Sequence, residues 1–367
     1  MCFTKRDLRY VGMQAQNSWD FLTYENIKNL VLITNNSVDS LCRLKRLRSS
    51  KRNRNSLKVT KIIIGVGERY KRLRFFIGIL KALLYEELNR DTKVVSFGGG
   101  VLGDIAGFIA SCYMRSVKLI HIPTTLLAQV DSSIGGKNGL NTAFGKNLVG
   151  ALHMPGRVIL DISNLSTLSQ REWVSGLAEV IKIGAALDGD YFKWLEKVMF
   201  NILDRKMSVV IGMIKHACLL KLNVTTSDSR EIGVRSVLNF GHTFGHAIES
   251  YLSYQKWLHG EAVSCGMVIA SDISFRLGLV ELSVHRRLIR LLSICRLPIY
   301  MPSGLKVESY LKALSVDKKS INGLERACNV VLIKGLGQGL ILTVSASSLE
   351  SLILRNRTVG YKAVENI

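Results

Sequence analysis

Hydrophobic residues in the first 160 positions form short runs that alternate with helical patterns. Apolar, β-branched runs at residues 31–34, 61–64 and 94–97 predict buried strands. The residues with helical spacing before the third run are Phe76, Ile79, Leu80, Leu83, Leu84 and Leu88. A helix is predicted over 101–114 and a further strand over 117–122. This alternation predicts an α/β domain over residues 1–160.

After about residue 160 the pattern changes to long helical segments. The helices predicted here cover residues 170–187, 208–222, 237–252, 261–277 and 284–295. None of the four prolines of the chain interrupts them. The second domain, over residues 161–367, is therefore predicted to be mainly α-helical.

Composition limits the location and the partners of the chain. Its 367 residues, 47% of them hydrophobic, are enough for two cores. No purely apolar run approaches the ~20 residues of a membrane helix, and the N-terminus lacks a secretory signal. The seven scattered cysteines form no CxxC pair. We therefore expect a cytoplasmic protein with reduced thiols and no membrane partner.

The net charge of +22 is concentrated in one basic stretch. Between Arg43 and Arg74, thirteen Lys and Arg residues accompany one acid, Glu68. Such a run could bind nucleic acid through phosphate contacts, but residues 45–58 contain no aromatic side chain to stack on a base. We interpret about 43–60 as a solvated basic loop. A nucleic-acid-binding protein on a retired enzyme scaffold is the alternative from a different functional class.

The segment GGGVLG, residues 98–103, joins a predicted strand to a predicted helix. Glycines let the backbone approach a diphosphate, and a helix N-terminus offers free N–H groups. The acid that usually follows ~20 positions later is missing, and Asp104 follows at once. We interpret the segment as a dinucleotide-binding turn of a non-standard kind.

Two later loops suit anionic ligands. Residues 131–137 offer a carboxylate, a glycine pair and a lysine, and residues 145–147 add a lysine and an amide. Before them, Thr124 and Thr125 stand at a predicted helix start, where N-capping is the simplest interpretation.

Histidines and a carboxylate indicate a metal site. His242 and His246 are four residues apart, so both imidazoles lie on one face of a helix, although such a pair is often structural. His259 follows, and Glu179 shares a helix face with Lys182. A Glu, two His and water would form an open, catalytic zinc site.

Six motifs in this order and spacing resemble 3-dehydroquinate synthases, between about residues 31 and 320. They are FGGGVLGDIAGF (97–108), YMRSVKLIHIPTTLLAQVDSSIGGKNGLN (113–141), FGKNLVGALHMP (144–155), REWVSGLAEVIKIG (171–184), VLNFGHTFGHAIE (237–249) and WLHGEAVSCGMV (257–268). The resemblance implies an N-terminal NAD-binding α/β domain, a helical metal-binding domain, an active site in the cleft between them and a homodimer.

The same resemblance implies a role for individual residues. It implies that zinc or cobalt binds Glu179, His242 and His259, with His246 facing the substrate or supporting a ligand. The residues it implies for NAD are Gly67, Glu68, Lys71, Gly100, Val101, Leu102, Gly103, Asp104, Thr124, Thr125, Lys137, Lys146, Asn164, Leu165, Ser166 and Thr167. Those it implies for substrate contact and catalysis are Arg115, Asp131, Lys137, Asn147, Lys182, Lys221, Arg235, Asn239, His246 and Lys318.

The implied reaction converts 3-deoxy-D-arabino-heptulosonate 7-phosphate to 3-dehydroquinate and phosphate, a carbon–oxygen lyase step of the shikimate pathway to chorismate and the aromatic amino acids. The basic and amide groups of the implied site suit a substrate with a carboxylate and a phosphate. Arg235 would bind the carboxylate, and Arg115 would come from the partner subunit. The alternative is another NAD- and metal-dependent sugar phosphate cyclase or an alcohol dehydrogenase of similar fold.

The chain departs from the family pattern at three positions. Val66 replaces an aspartate, Ser116 a glycine and Asn138 a threonine. None of them is an implied metal ligand, so we expect an active enzyme.

Overall fold

The structure, a computed structural model, describes residues 8–11, 27–41, 57–231, 233–253, 256–302, 327–345, 347–349 and 351–352. Lys318 and residues 42–56, which form most of the basic loop, lie outside the described residues. The chain divides into two compact units. The first unit is Met1–Trp173 with Lys221–Thr226, and the second unit is Val174–Leu220 with Ser227–Ile367.

A six-stranded parallel sheet forms the centre of the first unit. The strands of this unit are β1 (Leu8–Val11), β2 (Asn29–Asn35), β3 (Lys58–Ile64), β4 (Lys93–Gly98), β5 (Lys118–Pro123), β6 (Lys137–Thr142), β7 (Gly145–Leu152) and β8 (Arg157–Asp161). The sheet order is β1-β8-β5-β4-β2-β3, and all of its pairs are parallel. Strand β4 is buried along its whole length, as expected for a central strand covered on both faces.

The helices of the first unit cover this sheet. They are α1 (Asn36–Leu41), α2 (Leu73–Tyr85) and α3 (Gly100–Cys112). Val31 and Ile33 of β2 pack into the core cluster that contains α2 and α3 residues, whereas Leu30 and Leu32 pack into a second cluster. Successive residues of a strand face opposite sides, so β2 contributes to both cores. The predicted α/β fold is therefore confirmed.

The second unit is mainly helical. The helices from residue 170 onward are α4 (Gln170–Leu187), α5 (Gly189–Leu203), α6 (Met207–Ser227), α7 (His242–Tyr251), α8 (His259–Arg276) and α9 (Leu282–Ile294). The sequence does not predict α5, which begins where the Asp188 side chain accepts hydrogen bonds from the backbone N–H groups of Asp190 and Tyr191.

The prediction of one helix over 237–252 is wrong. Residues Val234–Asn239 form a 3-10 helix, and α7 begins only at His242. Gly241 separates the two with φ +79°, a left-handed conformation that interrupts an α-helix. His242 is consequently the first residue of its helix.

The structure also contains two antiparallel hairpins that the sequence did not predict. One is β6 with β7, and the other is β9 (Ala327–Gly335) with β10 (Gln338–Ser345). The second lies in the half of the chain that the sequence predicts as helical. Its β9 contains the buried residues Val330 to Ile333, an apolar run too short to distinguish a strand from a helix by periodicity.

Within the described residues, α6 is the one helix whose length and composition would suit a membrane span. Core helices of folded proteins meet the same criteria, and part of α6 is buried. Lys221 of this helix forms an ion pair of 2.6 Å with Asp131. We therefore describe α6 as a core helix.

A strained turn follows α3. Met114, Arg115 and Ser116 have φ values of 46°, 61° and 101°. Side chains with a Cβ rarely adopt such conformations. We expect Ser116→Gly to increase the free energy of unfolding by about 1 kcal/mol, because glycine removes the strain at this one position. Urea denaturation tests this, with Ser116→Ala as the matched control that should show no gain. Equal stability of the glycine and alanine variants would contradict the strain.

Candidate active site

The three candidate metal ligands lie together in the second unit. Glu179 is on α4, and His242 and His259 are the first residues of α7 and α8. Oε1 of Glu179 lies 3.6 Å from Nε2 of His242 and 3.3 Å from Nε2 of His259. One donor atom of each residue lies within 4.8 Å of the others. One carboxylate and two imidazoles form a donor set that binds zinc and leaves a position for substrate.

Glycines allow the three helices to approach closely enough for this cluster. A Cβ atom on Gly266 of α8 would lie 2.0 Å from the carbonyl oxygen of Gly241, just before α7. A Cβ atom on Gly260 would lie 1.9 Å from the carbonyl oxygen of Ser175 on α4, whose hydroxyl accepts a hydrogen bond from the Gly260 N–H. The three candidate ligands are thus held together by backbone packing.

Lys182 completes the surroundings of Glu179. Its Nζ contacts Oε2 of Glu179 one turn earlier on α4, and the lysine is 1% exposed. Both Glu179 oxygens are fully buried, and neither completes a hydrogen bond of normal geometry. A buried carboxylate of this kind has lone pairs to spare. The residues present therefore fit a divalent cation.

The charges of the cluster depend on its neighbours. Burial opposes ionisation of Glu179, but Lys182, His242 and His259 together hold its pKa well below the usual range. Burial, and then the Lys182 charge, lower the pKa of His242 well below its usual value. Burial also acts against the charged form of His259, but Glu249 and Glu179 raise its pKa to about 10. The Glu179 carboxylate is thus ionised and the His242 imidazole neutral at neutral pH, and a cation that binds His259 would displace one proton of that ring.

Several residues implied for NAD gather around Lys71 in the first unit. The Lys71 ammonium is buried, contacts Oδ2 of Asp104 and donates a 2.5 Å hydrogen bond to Oδ1 of Asn147. Lys146 lies 4.0 Å from Oε1 of Glu68. Burial raises the pKa of Asp104, although the charge of Lys71 acts in the opposite direction. The cluster offers both donors and acceptors to a polar ligand.

The glycine-rich turn packs against the segment after β5. A Cβ atom on Gly99 would lie 3.3 Å from Cγ2 of Thr125, and one on Gly100 would lie 2.9 Å from Oγ of Ser132. The Thr125 hydroxyl accepts a backbone hydrogen bond three residues later, as an N-cap does. The interpretation of Thr125 as a capping residue agrees with this contact. Since Gly99 is the N-cap of α3, its first N–H groups lie at this turn.

Comparison with known proteins identifies the family. The 3-dehydroquinate synthase N-terminal family matches residues 61–175, and the 3-dehydroquinate synthase C-terminal family matches residues 176–320. A 3-dehydroquinate synthase from Teredinibacter turnerae is 38% identical over 352 residues, 96% of each chain. The chain belongs to the 3-dehydroquinate synthase family.

Solved structures share the fold. A 2-epi-5-epi-valiolone synthase from Streptomyces hygroscopicus subsp. jinggangensis 5008, with NAD+ and Zn2+ bound, has a TM-score of 0.83 and 23% identity, covering 97% of this chain and 98% of its own. A 2-deoxy-scyllo-inosose synthase complexed with carbaglucose-6-phosphate, NAD+ and Co2+ has a TM-score of 0.78 and 25% identity, covering 95% and 96%. A probable glycerol dehydrogenase from Sinorhizobium meliloti 1021 is more distant, at 13% identity and a TM-score of 0.63, covering 97% of each chain.

Two residues implied for substrate contact in this family are paired in the first unit. Nζ of Lys221 donates hydrogen bonds of 2.6 Å to Oδ1 and to the backbone oxygen of Asp131. Lys221 is 6% exposed, so its ammonium is held in one position rather than moving in solvent. The sequence places these residues 90 positions apart, and folding brings them together.

Two further implied residues of the family site lie just before α7 in the second unit. The Arg235 guanidinium is buried and donates a 2.9 Å hydrogen bond to the carbonyl oxygen of Ser229. Nδ2 of Asn239 donates a 2.5 Å hydrogen bond to Oε1 of Glu231. The 3-10 helix that replaces the predicted helix here therefore carries two candidate binding groups.

For the other residues that the family resemblance implies, the structure gives their element and their exposure. Arg115 and Lys137 are exposed in the first unit. Asn164 to Thr167 belong to the 3-10 helix Ile162–Thr167, which the Asp161 side chain caps; within it Leu165 is buried and Ser166 and Thr167 are exposed. The position of Lys318 remains a prediction.

The departure from the family at Asn138 has a structural counterpart. Its Nδ2 donates hydrogen bonds to the carbonyl oxygens of Gly136 and His153, at 2.8 and 3.0 Å. A Cβ atom on Gly107 would lie 1.8 Å from Oδ1 of Asn138, so the asparagine fits against a glycine of α3. Val66, the other departure near the candidate nucleotide residues, is half exposed.

Sequence reasoning missed Glu249, a buried carboxylate at the metal cluster. Its oxygens lie 3.3 Å from Nδ1 of His259 and 4.0 Å from Nε2 of His246. A signal was present, because Glu249 is seven residues after His242 and three after His246, the spacing of one helix face.

Proposed function

We propose that this protein converts 3-deoxy-D-arabino-heptulosonate 7-phosphate to 3-dehydroquinate and phosphate, as an NAD- and divalent-metal-dependent enzyme of the shikimate pathway. The observation that supports this most is the cluster of Glu179, His242 and His259 in a chain of the 3-dehydroquinate synthase family. These residues would hold zinc or cobalt. The solved 2-deoxy-scyllo-inosose synthase, at 25% identity, contains NAD+ and Co2+ and supports the same pair of cofactors.

The cofactors have complementary tasks in such a reaction. Bound NAD would supply a hydride acceptor that is regenerated within one turnover, and a bound metal would lower the pKa of the alcohol that is oxidised and polarise the carbonyl that results. The carbon next to a carbonyl loses its proton more easily than the carbon next to an alcohol, and phosphate can then leave. Lys71, Asp104 and the turn at Gly100 would bind the nucleotide in the first unit.

The side chains of this protein would bind and orient the substrate. Arg235 would pair with the carboxylate, because a guanidinium matches its two oxygens. Lys182, held against Glu179, keeps that carboxylate ionised and would also contact the substrate. Asp131 holds the ammonium of Lys221 in a fixed position. The residues that would contact the phosphate are Lys137, Asn147, Asn239, His246 and Lys318.

The location and the assembly of the enzyme also belong to the proposal. We place it in the cytoplasm and as a homodimer, in which Arg115 reaches the site of the partner subunit. The exposure of the Arg115 side chain and its strained backbone support this role, since strain in a backbone often accompanies function.

We expect the purified protein to release phosphate from the heptulosonate phosphate in the presence of a divalent metal and a catalytic amount of NAD. NADH should not accumulate, because each hydride returns to the product. The measurement is phosphate release, followed together with absorbance at the NADH wavelength. Glucose 6-phosphate, which lacks the carboxylate, is the control substrate.

The alternatives predict different results in this assay. A stoichiometric rise of NADH would favour an alcohol dehydrogenase. Turnover of glucose 6-phosphate but not of the heptulosonate phosphate would favour another sugar phosphate cyclase.

A further inference from the structure

Glu249 is a buried acid next to the metal cluster that does not belong to the proposed ligand set. It lies near the end of α7, in the second unit, and is 4% exposed. Burying a carboxylate is unfavourable unless neighbouring groups compensate its charge. Two imidazoles contribute to this compensation, with Oε1 at 3.3 Å from Nδ1 of His259 and Oε2 at 4.0 Å from Nε2 of His246.

The two nitrogens of His259 point to different carboxylates. Nδ1 lies against Glu249, whereas Nε2 lies 3.3 Å from Oε1 of Glu179. An imidazole that binds a metal through one nitrogen commonly donates its other N–H to a carboxylate, which sets both the tautomer and the rotation of the ring. The His259 backbone is held by the packing of Gly260 on Ser175, but this packing leaves the side-chain torsions free.

We propose that Glu249 is a positioning residue of the metal site: it accepts the Nδ1–H of His259 and so directs Nε2 of that ring to the divalent cation. This inference rests on the proposed metal site of Glu179, His242 and His259. The same carboxylate lies 4.0 Å from Nε2 of His246, so its charge also acts on a candidate phosphate-binding imidazole.

A different role is possible for the same group of residues, because donor atoms of His246, Glu249 and His259 also lie within 4.8 Å of one another. Glu249 would then be a ligand of a second cation. The geometry favours the positioning role, since a metal on Nε2 of His259 leaves Glu249 at the opposite nitrogen of the ring. The two roles differ in the number of metal ions per chain.

The experiment measures metal binding by the full-length protein. Zinc affinity and stoichiometry are determined by competition with a chromophoric chelator, and the ligand field is read from the absorption spectrum of bound Co2+. The variants are Glu249→Gln, which keeps shape and one acceptor but removes the charge, and Glu249→Leu, which removes both. The matched control is Glu261→Gln, at an acid in the first turn of α8 that accepts a hydrogen bond from the backbone N–H of Leu258. Glutamine can keep that capping contact.

We expect Glu249→Gln to weaken zinc binding about tenfold and Glu249→Leu about a hundredfold, the range measured for such supporting carboxylates. The Co2+ spectrum should shift in both variants, while one ion per chain is retained and the control behaves as the wild type. Thermal unfolding of the metal-free proteins separates a loss of folding from a loss of binding, and the glutamine variant remains informative if the leucine variant does not fold.

Three outcomes would overturn the positioning role of Glu249. Wild-type affinity and an unchanged Co2+ spectrum in both Glu249 variants would overturn the positioning role and leave the metal site intact. Two ions per wild-type chain, falling to one in Glu249→Gln, would make Glu249 a ligand and also overturn it. No binding of zinc or Co2+ by the wild type would overturn the proposed metal site itself, and this inference with it.

Discussion

Replacement of Glu179 by glutamine is expected to lower phosphate release by about a thousandfold and to remove bound zinc. The carboxylate would be the negative ligand of the proposed metal site, and its buried oxygens face two imidazoles and an ammonium. Charge stabilisation by a bound metal contributes several kcal/mol to a reaction, and each 1.36 kcal/mol is a factor of ten in rate. Glutamine keeps the shape of the side chain but lacks the charge. The measurements are the turnover number and the zinc content per chain.

The matched control for this variant is Glu172→Gln, at an acid in the first turn of the same helix α4. It should retain zinc and activity. Chelation of the wild-type protein should abolish phosphate release as well, and added zinc or cobalt should restore it. Full activity in a preparation shown to be free of metal would contradict the assignment of Glu179, His242 and His259.

A methyl group at Gly266 is expected to disturb both folding and metal binding. The Cβ atom of Gly266→Ala would lie 2.0 Å from the carbonyl oxygen of Gly241 and 2.8 Å from the backbone nitrogen of Gly245. Backbone atoms cannot turn away as a flexible side chain can, so α7 has to move away from α8. Overpacking of this kind costs about 3 kcal/mol. The displacement also carries His242 and His246 away from His259, so zinc affinity should fall.

Urea denaturation and chelator competition test the two effects of Gly266→Ala separately. The matched control is Gly78→Ala in α2, where nothing lies within 4 Å of the added Cβ atom. That variant should be more stable by about 0.5–1 kcal/mol, because alanine is favoured over glycine inside a helix. A Gly266→Ala protein with wild-type stability and zinc affinity would show that the two helices can separate without cost.

Local patterns in the sequence determined many elements of the fold. The apolar runs at 31–34 and 94–97 lie within β2 and β4, and the helix predicted over 170–187 is α4. A strand that is buried on both faces has a continuous apolar run, and a helix that is buried on one side has apolar residues at helical spacing. Both patterns can therefore be recognised in the sequence without knowledge of the fold. The hairpin of β9 and β10 was missed although the glycine-rich segment 335–339 joins its two apolar runs, because runs of this length fit a strand or a helix.

The candidate metal site shows where local information ends. Helix spacing singles out the pair His242 and His246, and the residues alone offer Glu179 and His259 only as further donors. The resemblance to the family is what selects His259 rather than His246 as the second imidazole ligand. In the structure, the left-handed conformation of Gly241 makes α7 begin at His242. The close contacts at the glycines bring α4, α7 and α8 together, so that Glu179 lies beside His242 and His259.

The sequence by itself thus determined the family, the α/β and helical character of the two regions, and the residue types available for a metal and for anions. Only the tertiary structure decided which donor atoms lie close together. It pairs Lys221 with Asp131 and places the Glu249 carboxylate next to Nδ1 of His259. The physical reason is that spacing along one helix specifies neighbours within about two turns, whereas contacts between helices depend on how closely their backbones pack.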